Sequence, residues 1–138
     1  MKCYANRVQT HLFQVPNGAP VSASANGAPW RVLPDASDNT GDSIQDFKFV
    51  TALTMSGGAG SPTAQVVIQG SMDGADWIDL VTGTSRTADG SYKEVIENTS
   101  MPLLPFIRAR FSLGGTTAPS VYGIVDIIST AAFQLASV

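Results

Sequence analysis

Residues 64–80, AQVVIQGSMDGADWIDL, constrain the fold more than any other stretch. The apolar run Val66-Val67-Ile68 is followed by Ser71, Asp73 and Gly74, and then by Trp77, Ile78 and Leu80. Turn residues between two β-prone runs predict antiparallel strands joined by a tight loop. In that loop Ser71 or Asp73 should cap the backbone, Gly74 should take a positive φ, and Trp77 should fold back over the turn. The four are structural residues on this reading.

The chain on either side extends the β pattern. Phe47, Phe49, Thr51, Leu53 and Met55 alternate with Lys48, Val50, Ala52 and Thr54, so one face is predicted inward and the other outward. Ile107, Ala109, Phe111 and Leu113 alternate with Arg108 and Arg110 in the same way. The outward arginines are expected to lie on a solvated face, to pair with Glu94 and Glu97 across a sheet, or to meet an acidic partner. Tyr92 to Glu97 reads as a short strand. Asn98 to Pro105 holds two prolines and reads as a crossing connection. Val121 to Ser129 is apolar on both faces, as in a central strand covered on both sides. The final AAFQLASV should extend that strand or form one short turn. Short strands between Gly/Pro/Ser loops, without a helical period, predict an all-β domain over residues 46–138. Its expected form is a single antiparallel β-sandwich of jelly-roll or Greek-key type.

Residues 1–45 have a different character. Tyr4 to Val15 could hold one strand. Four prolines and two glycines then fall between Pro16 and Pro34, around the tract VSASANGA, which has little bulk to bury. Such a segment cannot build a core alone. It is expected to be an extended N-terminal arm, ordered on a neighbouring subunit or on its own domain. Its isolated large side chains, Tyr4, Leu12, Phe13, Trp30, Val32 and Leu33, are the expected partner contacts.

Composition narrows the function classes. Only 14% of residues are charged, against a typical ~25%, which favours a surface partly covered by partners. The eight Lys and Arg are scattered and the net charge is −3, so a direct nucleic-acid ligand is not expected. No apolar run approaches the roughly 20 residues of a membrane span, and no secretory signal is expected at the N-terminus. The single cysteine, Cys3, fits synthesis in a reducing cytoplasm. His11 is the only histidine, so neither a triad nor a common zinc site can be assembled. Asp73, Asp76 and Asp79, like Asp35, Asp38 and Asp42, are too few and too dispersed to predict calcium. No catalytic residue, cofactor or metal is expected, and the chain does not read as an enzyme.

Three resemblances attach to the hairpin. Ser71-x-Asp73-Gly74-x-x-Trp77 resembles the Asp-box turn of sialidase propellers. Those boxes carry one more residue between Asp and Gly and recur in each chain, whereas this chain has one copy. The hairpin followed by Ile107-Arg108 resembles discoidin-type sandwiches. The pattern VxIQGSxDGxxWxDL with the later FIRARFSL, over residues 64–128, resembles β-sandwich accessory proteins of tailed bacteriophages. This last resemblance implies a capsid decoration, or cement, protein on the outside of a virion, made in the host cytoplasm. It further implies a homotrimer that binds the major capsid protein and clamps neighbouring capsomers. The alternative is a carbohydrate-binding or tail-associated adhesion module, with Trp77 or Tyr92 as a stacking platform.

Overall fold

A computed structural model describes residues 8–34, 47–97, 104–129 and 133–138. Their strands are β1 (Val8–Val15), β2 (Ala25–Asn26), β3 (Trp30–Pro34), β4 (Phe47–Ser56) and β5 (Thr63–Ser71). Then come β6 (Ile78–Thr82), β7 (Gly90–Glu97), β8 (Phe106–Gly114), β9 (Ser120–Ser129) and β10 (Phe133–Ser137). All pairings among them are antiparallel.

Two sheets pack face to face into a β-sandwich. One has the order β1-β9-β4-β7; the other has the order β10-β3-β8-β5-β6, with β2 alongside β8. The chain pairs in a nested way: β5 with β6, β4 with β7, β3 with β8, and β1 with β9. The hairpin that stands out in the sequence is therefore the innermost pair of a doubled ribbon wrapped across both sheets.

The alternation of apolar residues sets which face of each strand is inward. Phe49, Leu53 and Met55 of β4, Val66 and Ile68 of β5, and Ile107, Ala109 and Phe111 of β8 are buried as the period of two predicts. Val121, Val125 and Ile127 supply the inner face of β9. β9 departs from expectation in one respect. β9 is central, between β1 and β4, but its outer residues Tyr122, Ile124 and Ile128 are only half-buried. The C-terminal segment departs as well: β10 neither extends β9 nor forms a turn, but crosses to the other sheet and pairs with β3.

The segment expected as an arm is woven into the sandwich over its described residues. β1 edges one sheet, and β3 lies inside the other, between β10 and β8. A register shift between His11 and Phe13 lets two consecutive side chains turn inward, Leu12 and Phe13. Leu12 is 2% exposed, and the Phe13 ring sits 4.9 Å from that of Phe111. Val32 is buried and Trp30 half-buried, with the indole Nε1 donating to the carbonyl of Leu12 at 3.3 Å. That bond ties one sheet to the other. The small residues between β1 and β3 also have a purpose. Gly27 donates to the carbonyl of Ala109 at 2.7 Å, and a Cβ there would come within 2.9 Å of Phe13. Lack of bulk is what lets this stretch lie flat on β8. Leu33 pairs through its backbone with Gln134. Tyr4 lies outside the described residues, as do Cys3, the acidic run from Asp35 to Asp42, and most of the proline-bearing connection after Glu97.

Candidate protein-binding site at the end of the β5–β6 hairpin

The turn between β5 and β6 is built by side chains that bond their own backbone. Ser71 is buried, and its Oγ accepts from the N–H groups of Gly74 at 2.9 Å and Asp73 at 3.3 Å. Its hydroxyl donates to Asp73 Oδ1 at 2.9 Å. The same oxygen accepts from the N–H groups of Ala75 and Asp76 at 2.8 and 2.9 Å. The bond from Asp76, then that from Ala75 and that from Ser71, hold the Asp73 carboxyl below its ordinary range. Gly74 takes a φ of +80°, which a residue with a Cβ would adopt only under strain.

Trp77 returns from the turn, but its ring lies against β8. The Arg108 guanidinium carbon sits 4.3 Å from the ring centroid. Arg108 Nε also donates to Gln69 Oε1 at 2.7 Å, and Gln69 Nε2 donates to Asp79 Oδ1 at 2.8 Å. Desolvation and the neighbouring Arg110 lower the Arg108 pKa, yet a guanidinium starts so high that it stays charged. The expected pairing of Arg108 and Arg110 with Glu94 and Glu97 does not form, because β8 and β7 lie in different sheets. Arg110 instead donates to Asn26 Oδ1 at 3.2 Å, Glu94 faces Arg86, and Glu97 faces Lys48.

Beside this locked cluster the hairpin leaves apolar surface in water. Met72 is 69% exposed and Ile78 is 54% exposed. Between them opens a groove of about 280 Å³, lined by Gly70, Met72, Ile78 and Leu104 together with Ser71, Asp73 and Asp76. A register shift in the β5–β6 ladder leaves Leu80 as an extra residue just before this end of the hairpin. An apolar trough bordered by the exposed Asp76 is suited to an aliphatic side chain of a partner polypeptide with a cation next to it.

The other nominated residues lie elsewhere. Leu12, Phe13, Trp30 and Val32 are committed to the interior or its margin, so their bulk serves this fold rather than an outward contact. Tyr92 carries Arg86 over its ring at 4.6 Å and donates its hydroxyl to the carbonyl of Ala88. Trp77 and Tyr92 thus each have one ring face covered by a guanidinium, and a stacking sugar would be restricted to the other. His11 meets Asp126 across β1 and β9. Among the described residues no group of three or more His, Cys, Asp or Glu is placed to hold a metal ion.

Comparison of the chain with protein-family models, curated proteins and solved structures finds no match in any of the three.

The site was only partly legible. The turn chemistry was visible in Ser71, Asp73 and Gly74, but exposure of Met72 and Ile78 was not. Both read as ordinary hairpin residues until Leu104, more than 20 positions away, is seen beside them.

Proposed function

We propose that this protein is a non-enzymatic structural accessory protein that binds another polypeptide, as a decoration protein on the outside of a phage capsid. The observation that carries the reading is the exposure of Met72 and Ile78 beside the groove at the hairpin end. Two large apolar side chains held in water by a rigid, self-bonded turn form a pre-organised contact, which costs little ordering entropy on binding. The nested pairing of β1 to β9 adds support: it suits a jelly roll, an architecture that recurs in viral capsid and lectin domains. That is support by analogy of fold, and the contact surface must carry the function itself.

On this reading the clamp works through the hairpin end rather than through an arm, since Leu12 and Val32 are occupied within the sandwich. Each copy contributes a modest contact with the major capsid protein, and the repeat of the shell multiplies it. The test is co-sedimentation of the purified chain with capsid shells of the virus whose genome carries its gene. The unaltered chain should pellet with the shells, and the pair Met72→Glu and Ile78→Glu should stay in the supernatant while keeping its fold. Failure of the unaltered chain to pellet, or undiminished binding by the pair, would overturn the proposal.

A further inference from the structure

Among the described residues one sheet ends at β1 and β7, and the other at β10 and β6. An edge strand offers a row of backbone N–H and C=O groups to any chain that can pair with it, and folded proteins blunt such edges with charge, bulges or cover. At β1 the Leu12 carbonyl is taken by the Trp30 indole. β7 carries Lys93, Glu94 and Glu97. β6 is less protected: it holds no Lys, Arg or Pro, and its one charge is Asp79. Gly83 fixes which way its edge faces. The Gly83 N–H donates to the carbonyl of Val66 on β5 at 2.8 Å. Hydrogen-bonded and open pairs alternate along an antiparallel ladder, so Thr82, opposite Val67, turns its N–H and C=O away from β5. Just beyond, the N–H of Thr84 donates to the Glu94 carboxylate at 3.0 Å, which closes the edge there. The open stretch therefore stops at Thr82 and runs back along β6 to the hairpin end. The two faces of β6 differ. On the outer face a row runs from Arg108 through Gln69 to Asp79, each bonded to the next, and ends at an exposed carboxylate. On the inner face Val81 packs against the core, and Ile78, opposite Gly70, stands exposed at the groove.

We propose that β6 is a docking edge, at which an extended basic segment of the partner polypeptide adds as a further strand. This rests on the reading that the hairpin end binds a polypeptide, and specifies the mode. Main-chain bonds to β6 supply affinity, and alternate side chains supply selectivity. A strand laid beside β6 continues both of its faces. A Lys or Arg on that strand stands next to Asp79, and the aliphatic residues flanking the cation stand next to Ile78 and Val81. Charge selects this occupant over a second copy. Residues 70–85 hold three charges, Asp73, Asp76 and Asp79, all negative, so two β6 edges placed together would bring like charges to one seam. The extra residue at Leu80 and the five-residue length of β6 limit the added strand to a short segment, which guards against open-ended stacking.

The probe is a synthetic peptide of about eight residues alternating Val and Lys, with a Val–Glu peptide of the same length as its control. Added to the full chain, the Val–Lys peptide should slow amide hydrogen exchange at Thr82 about tenfold or more, and the Val–Glu peptide should not. Thr82→Pro removes the outward N–H at a position where an edge strand tolerates proline. It should weaken the Val–Lys peptide about tenfold or more while leaving the urea midpoint near that of the parent. Asp79→Asn, which keeps an acceptor for Gln69, should narrow the preference for Val–Lys over Val–Glu. No slowing at Thr82, equal slowing by both peptides, or undiminished Val–Lys binding by both variants would overturn the proposal. So would protection of Thr82 that rises with chain concentration before any peptide is added, since a second copy would then hold the edge. Co-sedimentation with capsid shells reads the hairpin-end proposal separately. Binding to shells that needs Met72 and Ile78 but is indifferent to Thr82→Pro would leave that reading standing and sink only this one.

Discussion

Arg108 sits over the ring of Trp77, joining a strand of the sandwich to the turn of the hairpin beside it. The same guanidinium donates to Gln69, so two directions of contact depend on one planar group. Lysine can supply the charge but neither the flat stacking surface nor the Nε donor. Arg108→Lys and Trp77→Ala should each cost about 1–2 kcal/mol, from a partly desolvated cation–π contact and, in the first, one lost charge-assisted bond. Urea midpoints measure this. An Arg108→Lys chain as stable as the parent would show that the contact contributes nothing.

The turn should respond differently to its two small residues. A Cβ on Gly74 would stand 3.7 Å from the Phe106 ring, an ordinary contact, so the cost of Gly74→Ala is conformational. It should be about 1–2 kcal/mol, the penalty for a left-handed residue. Ser71→Ala removes an acceptor from two backbone N–H groups at a buried position and should cost about 1–3 kcal/mol. The thermal midpoints of the two variants, compared with the parent, decide both.

Asp73 gives the turn a pH dependence. Its folded pKa lies below the ordinary value of 3.8 because backbone N–H groups of Asp76 and Ala75, and then Ser71, bond the carboxylate. A depressed folded value means that the stabilisation is present above the unfolded pKa and is lost as pH falls through the folded one. Asp73→Asn keeps the acceptor oxygen and removes the charge. The gap in thermal midpoint between parent and variant should be open at neutral pH and close as pH falls below the ordinary carboxylate range. A gap that is constant down to about pH 2.5 would exclude the carboxylate as its source.

The N-terminal segment can be tested as part of the core. Leu12→Ala should cost about 2–5 kcal/mol, as for a buried leucine in any close-packed interior. Gly27→Ala should cost about 1–3 kcal/mol, because the added Cβ meets Phe13 and the carbonyl of Ala109. Equilibrium unfolding of either variant at parental stability would show that residues 8–34 lie outside the cooperative unit.

Particular strands show what could be learned from sequence. β4 and β8 were legible because each alternates over eight or more residues, and burial follows that alternation. β1 was partly hidden by its register shift, which turns Leu12 and Phe13 inward together and breaks the period of two. β2 was hidden because its signal is small size and proximity, and β3 because its large residues pair with strands more than 70 positions away. Gly27 matters only once Ala109 is beside it, and 82 positions separate them. Arg108 and Trp77 are likewise 31 positions apart, and no local pattern links them. Short-range chemistry wrote the turn; long-range pairing wrote the surface around it.

The nested order of pairing also governs when this chain can finish folding. His11 and Asp126 are 115 positions apart, yet they sit together on β1 and β9. At about 5–20 residues per second, a ribosome takes roughly 6–23 s to add the second strand after the first. Through that interval Leu12 and Phe13 have no β9 to lie against. The inner hairpin can close early, but β1 must wait until β9 has been made. Synthesis therefore carries the sandwich through a stage in which β1 is exposed, when a chaperone or a like nascent chain could capture it.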